Sequence, residues 1–431
     1  MIWQKDIECA SRSEIEDIQL KKLKALVAYC DKNIPFYNKK FADMGITSDK
    51  IKVLSDIEHL PITTKEDIRD SYPFGFFARP MKDIVRIHAS SGTTGKPTVV
   101  GYTKNDLDMW SDCMARLICA TGATDEDICQ ISFGYGLFTG ALGLHYGLEK
   151  IGATVIPMSS GNTEKQLMLM KDFGVTLLVS TPSYAVYMSE FALENGYKKE
   201  DFKLRLGLFG SEGCTPEMRS RIESNLGLFA TDNYGMSELM GPGVSGECTE
   251  RNGLHIAEDH FLCEIVDSDS LSPVNEGDTG ELIVTTLSKE GFPVIRYRTK
   301  DISRITKENC ACGRTSARMD KIKGRSDDML IIKGVNVFPS QIESVLVGTE
   351  EHIGPHYQLM VRRQGFMDTL EVKVELINGD LLERYSELEA LQKSIQAKLK
   401  SVLGLEAKVS LVEPKSIERF QGKAKRVVDL R

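Results

Sequence analysis

The segment Ser90-Ser91-Gly92-Thr93-Thr94-Gly95-Lys96-Pro97-Thr98 is a polar loop between two apolar runs, at 84–87 and 99–102. Its glycines allow the backbone to approach a ligand closely and let successive N–H groups converge on an anion. Its hydroxyl groups and the ammonium of Lys96 add hydrogen-bond donors that suit phosphate oxygens. A flexible linker is the alternative, but linkers rarely lie between two apolar runs. The segment therefore predicts a phosphate-binding loop.

This loop differs from the phosphate loop of nucleoside triphosphatases, which requires Gly-x-x-x-x-Gly-Lys-Ser/Thr leading into a helix. Ser90 stands at the position of the first glycine, and Pro97 follows the lysine. We therefore expect a use of ATP other than transfer of its γ-phosphoryl group.

The composition of the 431-residue chain is that of a soluble globular protein, with 41% hydrophobic and 27% charged residues. A formal net charge of −8 gives no reason to expect nucleic acid as a partner. No apolar run of about 18 residues or more predicts a membrane span, and the start of the chain has no signal-peptide pattern. The ten cysteines lie mostly in apolar surroundings, which predicts reduced thiols and a cytoplasmic location.

Alternating strand-like and helical patterns predict an α/β fold. A capping box at Ser13-Glu14-Ile15-Glu16 is expected to open a helix that Pro35 ends. Short apolar runs then alternate with helical segments, which is typical of βαβ units and a mainly parallel sheet. The expected strands are 128–133, 153–157, 176–180 and 204–209, and the expected helices are 164–173 and 182–194.

A second pattern begins near residue 325. Strands are expected at 359–363, 369–376 and 407–412 and a helix at 381–403, which fits a compact α+β module of ~100 residues. The polar segment Gly324-Arg325-Ser326-Asp327-Asp328 marks the boundary. We therefore predict a large domain, 1–326, and a small mobile one, 327–431.

Three further motifs carry groups that suit a nucleotide. Asp232-Asn233-Tyr234-Gly235-Met236-Ser237-Glu238 offers an aromatic face for a purine and a carboxylate for Mg²⁺, although a surface turn is the alternative. Asp301, in Tyr297-Arg298-Thr299-Lys300-Asp301, could accept hydrogen bonds from ribose hydroxyls or belong to an ordinary ion pair. Lys423 supplies an ammonium near the end of the chain, where a lone lysine is usually only solvated.

In their order and spacing these motifs resemble the ANL superfamily of adenylate-forming enzymes over nearly the whole chain. The segments Gly324–Gln341, Tyr135-Gly136-Leu137-Phe138-Thr139-Gly140 and Ile417-Glu418-Arg419 are similar to those of phenylacetate–CoA ligases within it. The resemblance implies a large α/β domain with mainly parallel sheets, followed by a small mobile α+β domain.

The resemblance also implies roles in forming an acyl-AMP. The 90–98 loop would wrap the β- and γ-phosphates of ATP, Tyr234 would lie along the adenine and Asp301 would hold the ribose. Glu238 would bind Mg²⁺, and Lys423 would bridge the substrate carboxylate and the α-phosphate. The further nucleotide contacts that it implies are Glu212, Asp232, Gly235, Ser237 and Arg325.

In the second half-reaction the thiol of CoA would attack the acyl carbonyl and expel AMP. Family members rotate the small domain about one hinge residue, and the fourth residue of Gly-Arg-x-Asp makes Asp327 that residue here. Rotation would remove Lys423 and bring the loop at Gly334 towards the pantetheine channel.

The acyl pocket is expected at Tyr135, Gly136 and Phe138, with Gly213 after a strand at the carboxyl edge of the sheet. An aromatic cleft suits phenylacetate or a close arylacetate. Ser211-Glu212-Gly213-Cys214, Asn233 and Met236 depart from the family pattern, which leaves open the preferred acid but not adenylation.

A structural zinc site is also expected. Cys310 and Cys312 form a tight pair before a glycine, and Cys248 and His255 lie upstream, a set that could bind Zn²⁺ tetrahedrally. The Cys-x-Cys gap is shorter than usual, so a reduced thiol pair is the alternative. His260 and Cys263 are spare ligands.

The leading function is an AMP-forming aryl-CoA ligase that uses ATP, Mg²⁺ and CoA. Two alternatives are an adenylation enzyme that loads an aryl acid onto a carrier protein and a catalytically silent nucleotide-binding protein. A homodimer is possible. A role in phenylacetate catabolism or in something narrower stays open.

Overall fold

The computed structural model describes residues 1–90, 97–327, 330–332, 335–347, 352–364, 367–418 and 426–431. They form two compact units. The first comprises Met1–Cys214 and Ile222–Lys321, and the second comprises Thr215–Arg221 and Ile322–Arg431.

The described helices are α1 (Lys5–Glu8), α2 (Arg12–Asn33), α3 (Pro35–Met44), α4 (Lys65–Asp70), α5 (Lys104–Ala120), α6 (Gly140–Ile151), α7 (Thr163–Asp172), α8 (Pro182–Glu194), α9 (Pro216–Leu226), α10 (Pro339–Val347) and α11 (Tyr385–Leu403). The strands up to Lys321 are β1 (Arg86–Ala89), β2 (Val99–Tyr102), β3 (Ile128–Ile131), β4 (Thr154–Ile156), β5 (Leu177–Ser180), β6 (Leu206–Gly210), β7 (Phe229–Met236), β8 (Gly241–Glu247), β9 (Leu254–Ile256), β10 (Phe261–Val266), β11 (Gly280–Thr286), β12 (Tyr297–Ser303), β13 (Ile305–Thr306) and β14 (Arg318–Met319). The remaining strands are β15 (Gly324–Arg325), β16 (Leu330–Ile332), β17 (Val335–Val337), β18 (Ile353–Gln364), β19 (Met367–Leu376), β20 (Lys408–Val412) and β21 (Val427–Asp429).

The first long helix begins two residues earlier than its predicted capping box. Ser11, rather than Ser13, is the N-cap of α2: its hydroxyl accepts from the N–H of Glu14, and the Glu14 carboxylate accepts from the N–H of Ser11 at 2.8 Å. The predicted box was wrong: both serines have a glutamate three residues later, but the helix begins at Arg12, so Ser13 lies inside it. Pro35 does follow the end of α2, and it starts α3, where its fixed φ suits the first turn.

The large sheet of the first unit has the strand order β13-β14-β9-β8-β7-β6-β5-β3-β4. Strands β4, β3, β5, β6 and β7 all run parallel, with helices in the connections, which confirms the predicted α/β class. The sheet continues through antiparallel strands that the apolar pattern did not predict. Strand β8, Gly-Pro-Gly-Val-Ser-Gly-Glu, is buried throughout although it contains little branched or aromatic surface.

Two smaller antiparallel arrangements complete this unit. Strands β10, β11 and β12 pair in that order. Strands β1 and β2 form a ladder in which Ala89 lies opposite Val99, so they flank the 90–98 loop on both sides. The largest fully buried side chains here include Trp110, Tyr102 and Phe292.

The second unit is an α+β module. Its sheet has the order β20-β19-β18-β21, and β16 pairs with β17. The buried core includes Val372, Val374 and Ile395, which alternate along β19 or lie on α11. This helix begins at Tyr385 instead of the predicted 381, because residues 379–383 form a 3₁₀ turn. Among the described residues, no helix is both long and apolar enough to cross a membrane.

Candidate active site

The carboxyl end of β7 places several predicted site residues at one edge of the large sheet. In open α/β sheets this is the edge where ligands bind. Strand β7 carries Asp232 and Tyr234 and ends at Met236, so that Ser237 and Glu238 follow directly.

Tyr234 and Asp301, predicted to contact the nucleoside, are in direct contact. The phenol of Tyr234 donates a hydrogen bond of 2.6 Å to Oδ2 of Asp301, which lies on β12. Burial, reinforced by the Asp301 charge, raises the pKa of Tyr234 well above its usual value, so the hydroxyl stays protonated and donates. The bond fixes an aromatic ring and a carboxylate relative to each other.

Glu238, the predicted Mg²⁺ ligand, is 3% exposed. Its Oε1 accepts no hydrogen bond from the described residues, but it lies 3.4 Å from Nζ of Lys65 at the start of α4. Beside it, the hydroxyl of Ser237 lies 3.3 Å from that of Thr139. A buried carboxylate oxygen that accepts no hydrogen bond from the described residues and lies 3.4 Å from a partly exposed lysine is suited to exchange that lysine for a metal ion.

Asp232 is part of a buried acidic pair. Its N–H donates to Oε2 of Glu247 on β8 at 2.8 Å. The ammonium of Lys321 lies 3.5 Å from the Asp232 carboxylate and 3.4 Å from that of Glu247. Lys321 thus lies near both carboxylates and offsets part of their charge.

The structure gives Gly235 and Glu212, predicted to contact the nucleotide, packing roles of their own. A Cβ at Gly235 would collide with the carbonyl oxygen of Gly241 on β8, so the close approach of the two strands requires glycine there. The carboxylate of Glu212 accepts the N–H of Ser183 at 2.8 Å, in the first turn of α8. A Cβ at Gly213 would meet only open space.

The predicted acyl-pocket segment contains a chain of polar contacts. The hydroxyl of half-buried Tyr135 lies 3.0 Å from Nδ1 of His145, and Nε2 of His145 lies 3.0 Å from the carboxylate of Glu149. Gly136 and Phe138 are exposed, and a Cβ at Gly136 would touch nothing. His145 therefore holds the phenol of Tyr135, and Glu149, one turn further along α6, holds the imidazole.

Ser90 and Thr98 close the base of the predicted phosphate loop. The N–H of Ser90 donates to the carbonyl of Thr98 at 3.0 Å, and the N–H of Thr98 donates to the Ser90 hydroxyl at 3.2 Å. The predicted contacts of residues 91–96, Gly334 and Lys423 lie outside the described residues.

The predicted hinge, Asp327, is ion-paired with Arg325, predicted to contact ATP. The guanidinium donates twice, from Nε to Oδ1 and from Nη2 to Oδ2, each at 2.9 Å. Both residues belong to the second unit.

The four predicted zinc ligands form a cluster. The ligand atoms of Cys248, His255, Cys310 and Cys312 all lie within 4.8 Å of one another. Sγ of Cys248 is 3.8 Å from Sγ of Cys310, and Sγ of Cys312 is 3.4 Å from Nε2 of His255. Nδ1 of His255 contacts the hydroxyl of Ser316 at 3.0 Å.

The two spare ligands lie elsewhere and have other partners. Nδ1 of His260 lies 2.9 Å from the hydroxyl of Ser288, and Nε2 lies 3.1 Å from the Asp259 carboxylate. Cys263 is on β10, and burial strongly raises the pKa of its thiol. Neither is in the cluster.

Sequence reasoning missed Lys65, Lys321 and His145. Lys65 and Lys321 are single lysines whose partners are distant in the sequence, and His145 lies in an otherwise ordinary amphipathic helix. Only the fold brings Lys65 to Glu238, so no local pattern could have identified it.

Two family models match the chain. The model described as AMP-binding enzyme matches residues 28–288, and the one described as AMP-binding enzyme C-terminal domain matches residues 334–431.

Individual relatives agree with the family models. The chain is 49% identical over 427 residues to the phenylacetate-coenzyme A ligase of Escherichia coli (strain K12), covering 99% of this chain and 97% of that one. It is 45% identical over 445 residues to the phenylacetate-coenzyme A ligase of Thermus thermophilus, covering 100% of each.

A solved structure of 2-hydroxyisobutyryl-CoA ligase, in the postadenylation state in complex with R3-HIB-AMP, matches with a TM-score of 0.93 and 28% identity. The match covers 100% of this chain and 92% of that one. These findings confirm the resemblance predicted from the motifs. The chain belongs to the AMP-binding enzymes and, within them, to the phenylacetate-coenzyme A ligase family.

Proposed function

We propose that the protein is an AMP-forming aryl-CoA ligase that activates phenylacetate, or a close arylacetate, with ATP and transfers the acyl group to CoA. The observation that carries this proposal is identity to phenylacetate-coenzyme A ligases along the whole chain. The site geometry supports it, because an aromatic ring suited to adenine, a carboxylate suited to ribose and a carboxylate suited to Mg²⁺ lie around one edge of the sheet. These groups belong to Tyr234, Asp301 and Glu238.

In the first half-reaction a carboxylate oxygen of the acid attacks the α-phosphorus of ATP, and pyrophosphate leaves. Asp301, fixed by the 2.6 Å bond from Tyr234, would accept hydrogen bonds from the ribose hydroxyls, and the ring of Tyr234 would lie along the adenine. The 90–98 loop would hold the β- and γ-phosphates, and Lys423 would bridge the two reacting groups. Further contacts to the nucleotide would come from Asp232, Gly235, Ser237 and Glu212.

Glu238 would hold Mg²⁺. Its buried oxygen without a hydrogen bond from the described residues fits a hard cation, because Mg²⁺ takes oxygen ligands. The ion would offset the negative charge that grows on the phosphate oxygens. Lys65, at 3.4 Å, would face the buried carboxylate until the ion binds.

In the second half-reaction the CoA thiol attacks the acyl carbonyl and AMP leaves. We place the domain boundary at 326/327 and the hinge at Asp327. Rotation there would exchange Lys423 for the loop at Gly334, which would line the pantetheine channel. Arg325 would contact ribose or phosphate.

The cysteine–histidine cluster would hold a structural Zn²⁺. Tetrahedral zinc with bonds of about 2.3 Å places its sulfur ligands roughly 3.8 Å apart. The Cys248–Cys310 separation of 3.8 Å has this value, and the contact from Ser316 to Nδ1 of His255 leaves Nε2 directed at the cluster. Because four protein ligands close the site, the ion would be structural.

Metal analysis of the purified protein tests this assignment. We expect about one zinc per chain, lost in Cys310→Ser and kept in the control Cys263→Ser, whose thiol lies outside the cluster. Equal metal content in the two variants would contradict the assignment.

A panel of aryl and short aliphatic acids, assayed for AMP release with and without CoA, tests the function. We expect release that depends on an arylacetate and is sustained only with CoA. Turnover with a carrier-protein thiol but not with CoA would favour carrier loading, and no release with any acid would favour a silent nucleotide-binding protein. A homodimer and a cytoplasmic location stay predictions.

A further inference from the structure

His88 lies at the end of β1, two residues before the phosphate loop, and it is 1% exposed. Its Nδ1 lies 3.0 Å from the carbonyl oxygen of Leu137, and the N–H of Ala89 donates to the same oxygen at 3.0 Å. Leu137 sits between the predicted acyl-pocket residues Tyr135 and Phe138. One carbonyl of that segment is therefore held by two consecutive residues of β1.

The same strand end holds the phosphate loop. Ser90, the next residue, makes both hydrogen bonds with Thr98 that close the loop's base. A displacement of the Leu137 segment would therefore be transmitted along two residues of extended backbone to the loop.

The His88 ring also contacts two aromatic side chains that hold the turn after Glu238. It packs edge-on against Tyr102, at 5.5 Å between ring centres, and against Trp110, at 6.1 Å. The Tyr102 hydroxyl donates to the carbonyl of Met240 at 2.9 Å, and Nε1 of Trp110 donates to that of Pro242 at 2.7 Å.

A buried cation supports the same turn. Nζ of Lys289 donates to the carbonyl of Leu239 at 3.1 Å and lies 4.6 Å from the centre of the Tyr102 ring. The carbonyls of Leu239, Met240 and Pro242 are therefore all bound by side chains around His88.

The chemistry of the contact fixes the form of the imidazole. A carbonyl oxygen only accepts, so Nδ1 carries the proton. Nε2 has no hydrogen-bond partner among the described residues, and burial lowers the pKa of His88, so the ring is neutral. An amide in the position of Nδ1 could make the same bond, whereas an aliphatic side chain of similar size could not.

We propose that His88 is a positioning residue that couples the arylacetate pocket to the ATP site, so that binding of either substrate favours the other. Its Nδ1–H fixes Leu137 in the acyl segment, while its ring packs on the side chains that hold the Glu238 turn. This inference rests on the proposed function.

The test is ATP–pyrophosphate exchange, with phenylacetate varied at several fixed ATP concentrations. In the unchanged protein the KM for phenylacetate is expected to fall as ATP rises. His88→Leu should raise that KM about tenfold and remove its dependence on ATP, because a buried hydrogen bond is lost. His88→Asn returns a donor to the position of Nδ1. It should therefore restore most of the low KM for phenylacetate and most of its dependence on ATP.

Gln19→Leu is the matched control, since it removes a buried N–H that donates to the carbonyl of Glu258 at 2.9 Å, away from the site. It should lower thermal stability without changing the KM. If His88→Leu does not fold, His88→Gln replaces it. The longer glutamine side chain places its amide near the position of Nε2, so it does not restore the hydrogen bond to Leu137.

Equal KM values and equal ATP dependence in the unchanged protein and His88→Leu, or in His88→Asn and His88→Gln, would overturn the inference. So would a KM for phenylacetate that does not vary with ATP in the unchanged protein. Absence of any arylacetate-dependent exchange in the unchanged protein would instead reject the proposed function.

Discussion

The large sheet carries two polar sites of opposite character. At the end of β7 the groups are oxygens, from Asp232, Tyr234 and Glu238, and their nearest partners come from other elements of the chain. Around β9 the groups are three thiols and one imidazole whose ligand atoms all lie within 4.8 Å of one another. Oxygen donors suit Mg²⁺ and nucleotides, whereas a closed set of sulfur and nitrogen suits zinc.

The two sites differ in how their polar groups are partnered. Lysines balance the oxygen site: Lys65 faces Glu238 at 3.4 Å, and Lys321 faces Asp232 at 3.5 Å. Such partners can be exchanged for a ligand. The cysteine cluster would offer no comparable opening, because its four members would fill all the positions around the proposed tetrahedral zinc. Changes at the two sites should therefore have separable effects.

The largest expected effect is at Glu238. Glu238→Gln should lower arylacetate-dependent ATP–pyrophosphate exchange by about 100-fold or more, because the proposed ligand of the Mg²⁺ that offsets the phosphate charge is lost. Its zinc content should stay unchanged. Exchange rates over a range of Mg²⁺ concentrations measure this, with exposed Glu164→Gln as the control. Full activity in Glu238→Gln would remove the carboxylate from the proposed site.

The opposite pattern is expected at the cysteine cluster. Cys310→Ser should lower the thermal midpoint by roughly 5 °C or more, because a structural metal stabilises the folded state. A strong chelator should lower the midpoint of the unchanged protein but not that of the variant. If chelation affects both proteins equally, or neither, the cluster is not a structural metal site.

A smaller effect is expected where Tyr234 meets Asp301. Tyr234→Phe keeps the ring but removes the 2.6 Å hydrogen bond, so the KM for ATP should rise about tenfold with little change in the KM for phenylacetate. Steady-state kinetics with each substrate varied distinguish the two. Equal changes in both KM values would indicate a general disturbance of the site.

The smallest effect is expected at Lys289, whose ammonium donates to the carbonyl of Leu239 in the turn after Glu238. Burial lowers the pKa of Lys289 to about 8, below its usual value. Between pH 8 and the ordinary lysine pKa of about 10.4, the unfolded chain holds a proton that the folded chain lacks. The folded state should therefore gain stability as pH rises through this range.

Lys289→Met lacks this titration. The thermal midpoint of the unchanged protein should accordingly rise relative to that of the variant between pH 7.5 and 10. Parallel midpoint curves over this range would show that Lys289 has an ordinary pKa.

The sequence predicted the parts of the fold that depend on local pattern. Helix α8 has the predicted bounds 182–194, and the parallel strands β3, β4, β5 and β6 overlap the predicted runs, whereas the parallel strand β7 was not predicted. The antiparallel half of the large sheet was not predicted, because β8 is rich in glycine and its burial comes from the strands beside it.

For the site, the sequence identified residue types but not their partners. The cysteines and His255 were grouped by their ligand chemistry alone, and the fold brings them together. The contacts from Lys65 to Glu238 and from His88 to Leu137 link segments far apart in the chain, and neither residue belongs to a recognisable motif. Such contacts depend on tertiary packing, which local patterns do not encode.

The most direct test of the account is exchange of labelled pyrophosphate into ATP by the purified protein, with phenylacetate present and CoA absent. Rapid exchange that requires phenylacetate and Mg²⁺ is expected, because the acyl-AMP forms before CoA takes part. No exchange under these conditions, with thioester formed only when CoA is added, would contradict an adenylate intermediate.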